Sequence, residues 1–307
     1  MSTNLTEQSV FSVIATTVAL INVPVIVIIF TSPALKKCKE LVLIGGVCGV
    51  DAVHSLFNAV IVLDRYINFP DGTDLMVPAS ACFFKYYVFV FFYTQIMVGI
   101  MVVLVSIERC AVIFFPIWYI LSYTRKKALL AILGSVLFCA VLHVICYLLL
   151  VSSPPRNISI LCYGSSVYPP LASNLLTSLR ISLSAVGIGL YVPISLRICQ
   201  LKVTSRSHVF VQSSPSVNSI TNGSKASDMQ MKKNIRFSVT IGMTCLSDLV
   251  LLLIPDIIIN YNLFGLHAYH LVFARTGLLK TVVNLFLYTL RHSELRKEVT
   301  TRLRTCQ

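Results

Sequence analysis

The chain has 307 residues, 56% of them hydrophobic and only 12% charged, with a mean hydropathy of +0.82. Soluble domains carry about 45–50% apolar and about 25% charged residues, so a soluble enzyme, a disordered tail and a disulfide-rich secreted module are excluded. Twenty-five Lys and Arg against 12 acids give +13, and where those charges sit decides their meaning. The composition is that of a membrane protein.

In chain order, Met1–Gln8 holds no basic residue and the apolar run that follows, Gln8–Leu35, is full length, so it reads as a span and not as a cleaved signal. Leu41–Leu63 comes next with Asp51 inside, then Tyr86–Ile107 and Ala128–Pro155, both free of Asp, Glu, Lys and Arg. Leu171–Leu196 encloses Arg180, Phe237–Ile259 encloses Asp248 and Asp256, and Ala268–Leu290 encloses Arg275 and Lys280. A membrane helix needs about 20 apolar residues, so these windows predict seven spans. They are too long for barrel strands and show no period-two alternation. Between spans five and six, 201–231 is rich in Ser, Thr and Asn and reads as a disordered loop. After span seven, Leu295, Val299 and Leu303 recur every four residues opposite Arg296, Lys297, Arg302 and Arg304, a short helix at the membrane interface. Cys306 beside it is either a palmitoylation site or a plain tail cysteine. The expected fold class is an all-α membrane protein: an outer N-terminal segment 1–9, a seven-helix bundle 10–290, and an interfacial helix with tail 291–307.

Short loops rich in Lys and Arg stay in the cytoplasm. The loops after spans one, three, five and seven, with Arg109, hold 19 of the 25 basic residues, which puts the N-terminus outside and the C-terminus inside. The +13 is then a positive-inside bias facing anionic lipid, with no nucleic-acid partner. On the outer side lie the sequons at Asn4 and Asn157, where glycosylation is expected; a third at Asn222 lies inside and stays bare. Cys82 and Cys162 are the two cysteines on the oxidising side, and one disulfide between them is the economical reading.

Span three ends in Glu108-Arg109-Cys110-Ala111-Val112-Ile113-Phe114-Phe115-Pro116-Ile117-Trp118-Tyr119. An acid beside a base at a membrane boundary neutralises it and restrains it until a partner displaces the acid. This run resembles the Asp/Glu-Arg-Tyr and Pro-x-x-Tyr region of rhodopsin-like G-protein-coupled receptors, with Cys110 in the usual tyrosine place. Asn22 with Val25 resembles that superfamily's first-helix motif, and Asp51 stands where its second-helix acid helps bind sodium in many receptors. Asn284-Leu285-Phe286-Leu287-Tyr288 resembles its seventh-helix Asn-Pro-x-x-Tyr, with Leu285 in place of proline. Span six keeps the proline, Pro255, but lacks the usual tryptophan. Finer resemblance is to nematode serpentine chemoreceptors of class SX, through Lys37–Gly45, Phe115–Tyr119 and Tyr288–Lys297.

The resemblance implies a receptor for an extracellular small molecule or peptide in the plasma membrane of a sensory neuron, acting on a heterotrimeric G protein and needing no cofactor. It implies a switch and coupling surface at Glu108, Arg109, Pro116, Tyr119, Asn284 and Tyr288, and a buried polar network at Asn22, Asp51 and Asn284. The ligand pocket would draw on Tyr86, Tyr87, Phe91, Gln95, Arg180, Asn260, Tyr269 and Arg275. Phe91 lies five helical turns above Arg109, where amine receptors carry an aspartate, so a monoamine is disfavoured. Leu278 fills the place of the opsins' retinal lysine, which excludes an opsin. Arg180 and Arg275 suit an anionic ligand, against the alternative that both snorkel to the headgroups. Asp248 and Lys280 lie outside the superfamily pattern and either pair directly or find separate partners.

A channel or secondary transporter also carries charges within its spans, but paired broken helices in related halves are not visible here. An enzyme needs a reactive constellation. The His267-Ala268-Tyr269-His270 spacing has no nearby acid and reads as structural, and no His-Glu-x-x-His, phosphate loop or nucleophile elbow appears. Gly45 and Gly49 form a small-xxx-small pair that lets helices approach.

Overall fold

The computed structural model describes residues 5–68, 75–162, 164–200, 238–263, 265–266, 270–291 and 293–305. Asn4, the 201–231 loop with Asn222, Tyr269, the Arg275 side chain and Cys306 lie outside the described residues. The long helices are α1 (Leu5–Thr31), α2 (Leu41–Asn68), α3 (Tyr86–Phe114), then the short α4 (Pro116–Ser122) and α5 (Arg125–Ser152). They continue with α6 (Pro170–Gln200), α7 (Ser238–Asn260), α8 (His270–Arg291) and α9 (Ser293–Thr305). By length and composition, six of the described helices, α1, α2, α3, α5, α6 and α7, can cross a membrane. α8 is the seventh long helix and packs against α1, α2 and α7.

Burial explains why the apolar runs form a bundle and not a globule. Along α1 the buried positions are Ala15, Val18, Ala19, Asn22, Val25, Ile28 and Ile29, one helical stripe, while Val13, Ile14, Leu20 and Ile21 on the opposite face are exposed. An outer face as apolar as the inner one is costly in water and required in lipid. α5 takes this furthest. Its buried seam is Ala128, Ser135, Cys139 and Cys146, with Leu150 at its end, and its exposed face is leucine, valine and phenylalanine. Small side chains on the seam let neighbouring backbones come close, which drives helix association where lipid removes the hydrophobic force.

α3 is the central element, buried along most of its length and packed on α2, α5 and α6. Gly187 of α6 meets it without room to spare: a Cβ there would lie 3.0 Å from the Val102 carbonyl carbon and 3.0 Å from the Val103 nitrogen. Gly45 serves the same purpose between α2 and α1, where a Cβ would lie 2.8 Å from Phe30 Cε2. Gly49 faces open space, so the two members of that pair do different work.

At one end of the bundle the chain between α2 and α3 pairs β1 (Met76–Pro78) antiparallel to β2 (Asn157–Ser159), with Val77 opposite Ile158. The Cys82–Cys162 disulfide, with Cα atoms 5.4 Å apart, ties the segment before α3 to the α5–α6 connection. Asn157 is exposed on β2. At the other end, α3 breaks at Phe115 (φ −129°, ψ 56°), and Pro116 starts α4 at a first-turn position where its missing N–H costs nothing. Thr124 caps α5, its Oγ1 accepting from the Lys127 N–H at 3.4 Å.

α7 contains a π-helical stretch, Leu249–Leu253, just before Pro255. Proline cannot donate to the carbonyl four residues back. That carbonyl, of Leu251, accepts from Thr276 Oγ1 on α8 at 2.7 Å, so the distorted turn is held from the neighbouring helix. α9 turns Leu295 fully inward, with Val299 packed behind it, and leaves Arg296 and Lys297 exposed.

Candidate functional site

Three groups of polar side chains lie along the axis of the bundle, where hydrocarbon would otherwise exclude them. At the Arg109 end, Arg109 Nη2 and Glu108 Oε2 are 2.6 Å apart, with side chains only 1% and 2% exposed. Tyr119 of α4 donates its hydroxyl to Glu108 Oε1 at 3.0 Å. Burial and the carboxylate of Glu108 both push the Tyr119 phenol above its ordinary range, so it stays a donor. Sequence neighbours on a helix point about 100° apart, yet both side chains curl into the bundle because an unpaired charge there is more costly than a bent rotamer. Pro116 is exposed and acts through the backbone, by setting the angle at which α4 brings Tyr119 back.

Lys39, between α1 and α2, extends this group. Its Nζ donates to the carbonyls of Tyr119 and Tyr123. Burial lowers the pKa of this ammonium from the usual lysine value. The motif reading passes over Lys39 because its partners are 80 and 84 residues away.

Midway along the bundle, Lys280 of α8 stands 3.3 Å from Asp51 Oδ1 of α2 and 3.6 Å from Asp248 Oδ1 of α7. All three are buried. Asn284, one turn after Lys280, donates to Asp248 Oδ1 at 3.3 Å and accepts from Ser247 Oγ at 2.7 Å. Asn22 is 1% exposed and donates to the Val18 carbonyl of its own helix at 2.8 Å. Of the expected polar network, then, Asp51 meets Lys280, Asn284 meets Asp248, and Asn22 serves its own backbone. The direct Asp248–Lys280 contact is present, with Asp51 as a third member. Tyr288 is 3% exposed and lines the small cavity beside this cluster.

Toward the Cys82 end, Arg180 Nη2 of α6 contacts Asp256 Oδ1 of α7 at 2.5 Å. Arg180 is therefore paired inside the bundle and does not snorkel outward. Facing it across the bundle are α2 and α3, where His54 Nδ1 lies 2.9 Å from Thr94 Oγ1 and the His54 ring stacks on Phe91 at 5.9 Å. Of the other expected pocket residues, Tyr86 is exposed and edges onto Phe57 and Tyr87, while Tyr87 is 3% exposed and packs into the core around the disulfide. Gln95 is half-buried on α3, and Asn260 is exposed at the end of α7. Sequence reasoning missed His54 and the pairing role of Asp256. The available signal was charge balance: a buried arginine in span five requires an acid, and few acids exist to supply one.

No family model and no curated protein sequence matches the chain. Its backbone does match a solved one: the crystal structure of squid rhodopsin superposes with a TM-score of 0.70 at 11% sequence identity. The match covers 100% of this chain and 88% of that chain. At such low identity the likeness speaks for the fold alone: a helical bundle of the kind seen in squid rhodopsin.

Proposed function

We propose that this protein is a G-protein-coupled receptor of the plasma membrane, with seven spans, its N-terminus outside and α8 as its seventh span. It is a chemosensory receptor for a small molecule or peptide and acts on a heterotrimeric G protein. The observation that carries this reading is the buried Glu108–Arg109–Tyr119 cluster at the inner end of α3. A cationic side chain held by an acid and a tyrosine from the following loop is a latch. It is stable while closed, and it releases an arginine to the cytoplasmic face when the helices shift. A ligand drives that shift only through contacts that differ between the two states. The groups available for such contacts lie between the outer halves of α2, α3, α6 and α7: Phe91, His54, Arg180 and Asp256. Because Arg180 already has a carboxylate partner, a ligand with both a donor and an acceptor suits the pocket better than a plain anion. The resemblance of Lys37–Gly45, Phe115–Tyr119 and Tyr288–Lys297 to class SX receptors supports a chemosensory neuron as its site.

The test is second-messenger recording from cells expressing the protein, with a chemical panel and several Gα chimeras. A ligand response that needs a Gα subunit supports the reading. A conductance that persists without any G protein replaces it with the channel reading, which draws on the same intramembrane charges.

A further inference from the structure

Rhodopsin-like receptors are expected to hold a sodium ion at the second-helix acid, here Asp51, so the residues around it bear directly on whether an ion fits. An ammonium is already there. Lys280 Nζ lies 3.3 Å from Asp51 Oδ1 and 3.6 Å from Asp248 Oδ1, so one side chain bridges two carboxylates from two other helices. The Lys280 side chain is 4% exposed and those of Asp51 and Asp248 are 5% and 6% exposed.

The surroundings suit an ammonium better than a metal ion. Hard cations are held by shells of about six oxygens. The cavity bordering the cluster has about 20 Å³, the room of one water. Apart from the three charged residues, only Thr244 and Tyr288 among the described residues offer a side-chain oxygen to its wall; the rest is valine, isoleucine, methionine and cysteine. The Thr244 hydroxyl donates to the Ile241 carbonyl at 2.8 Å, which fixes the direction of its one oxygen. Among the described residues that line the cavity neither Asn22 nor Asn284 appears; their amide N–H groups go to Val18 and Asp248, and the Asn284 oxygen accepts from Ser247. Two carboxylates against one ammonium leave a negative charge, which the Asn284 N–H on Asp248 Oδ1 offsets in part. A sodium ion entering to neutralise it would sit against the ammonium and compete with it for the same carboxylate oxygens, Asp51 Oδ1 and Asp248 Oδ1.

We infer that Lys280 is the resident cation of this site, tethered to α8, and that the site takes no free sodium. The cation that links α2, α7 and α8 is then part of the chain itself and is not drawn from the ionic medium. A receptor so built keeps the same balance of states whatever the sodium concentration around it.

Thermal unfolding of the purified full chain in nanodiscs tests this, with sodium chloride and choline chloride compared at equal ionic strength. The readout requires neither ligand nor G protein, so it stands whether or not the receptor reading does. The wild type should unfold at the same temperature in both salts. Lys280→Met removes the ammonium and keeps the stem, and should gain a saturable rise in midpoint with sodium and none with choline. Should that variant fail to fold, Lys280→Met combined with Asp248→Asn leaves a single carboxylate, Asp51, and should show a smaller saturable rise with sodium and none with choline. Saturable stabilisation of the wild type by sodium overturns the inference. So does indifference to sodium in a folded variant lacking Lys280.

Discussion

The ammonium of Lys39 sits 4.1 Å from the centre of the Tyr119 ring, while its nitrogen donates to the carbonyls of Tyr119 and Tyr123 at 2.5 and 2.8 Å. Those carbonyls lie at and just past the C-terminal end of α4, where the Tyr119 carbonyl also accepts from the Tyr123 N–H at 3.3 Å and a cation is favourable. The hydroxyl of Tyr119 reaches Glu108, so a lysine outside the third helix holds the tyrosine that holds this carboxylate. Lys39→Met should free α4 and raise ligand-independent output. A cation–π contact is worth about 0.5–2 kcal/mol depending on desolvation, and about 1.4 kcal/mol is a tenfold population change. Lys39→Arg should restore most of the restraint. Basal second-messenger level at matched surface density is the measurement, and equal output from all three proteins would argue against the link.

Glu108→Gln removes the charge at nearly constant volume. The pair is almost fully buried, so its loss weighs more than the ~1 kcal/mol of an exposed ion pair. Basal signalling should rise by about tenfold or more, as a loss of about 1.4 kcal/mol would give. Arg109→Ala should reach the membrane and signal poorly, since the same arginine is expected to meet the G protein. Unchanged basal output in the first and full signalling in the second would falsify the latch.

Arg180 and Asp256 should be coupled. Removing either leaves a buried, unpaired charge, at a cost on the order of 3 kcal/mol, somewhat less here because both side chains are partly exposed. Arg180→Met and Asp256→Asn should each lower the midpoint of unfolding, and the double variant should lose less than the sum. Strict additivity across the cycle would mean that the two act separately.

The disulfide closes a loop 80 residues apart in sequence, and reducing it should cost about 2–4 kcal/mol of stability. Cys82→Ser and Cys162→Ser should unfold at the same lowered temperature, and the wild type in reductant should match them. Two variants with clearly different midpoints would point to separate roles.

Gly187→Ala places a methyl against the backbone of α3 and should destabilise the bundle by about 1–3 kcal/mol. Gly134→Ala on α5 meets open space, and should be neutral or stabilise by up to about 1 kcal/mol through helix propensity. Reversed signs in a thermal-shift comparison would mean that α3 and α6 are not in close contact in the membrane.

The sequence alone determined the class of molecule, the helix windows and the cysteine pairing. Hydrocarbon imposes long apolar runs, and runs of that length with so few interior charges admit no soluble alternative. The adjacent Glu108 and Arg109 were legible as a pair and Tyr119 by resemblance, but its contact with Glu108 was not: 11 residues of straight helix span about 16 Å, and only the break at Phe115 brings Tyr119 back. What the windows could not reveal was which intramembrane charge meets which. Asp51 and Lys280 are 229 residues apart, Arg180 and Asp256 76 apart, and Lys39 and Tyr119 80 apart. Each window declares only that a charge exists and needs a partner; the rotation of every helix about its own axis decides which partner it finds. That rotation is set by small contacts such as Gly187 against Val102 and Gly45 against Phe30, and by the distorted turn before Pro255. Only the packed bundle turns Asn22 toward its own backbone and aims Lys280 at Asp51.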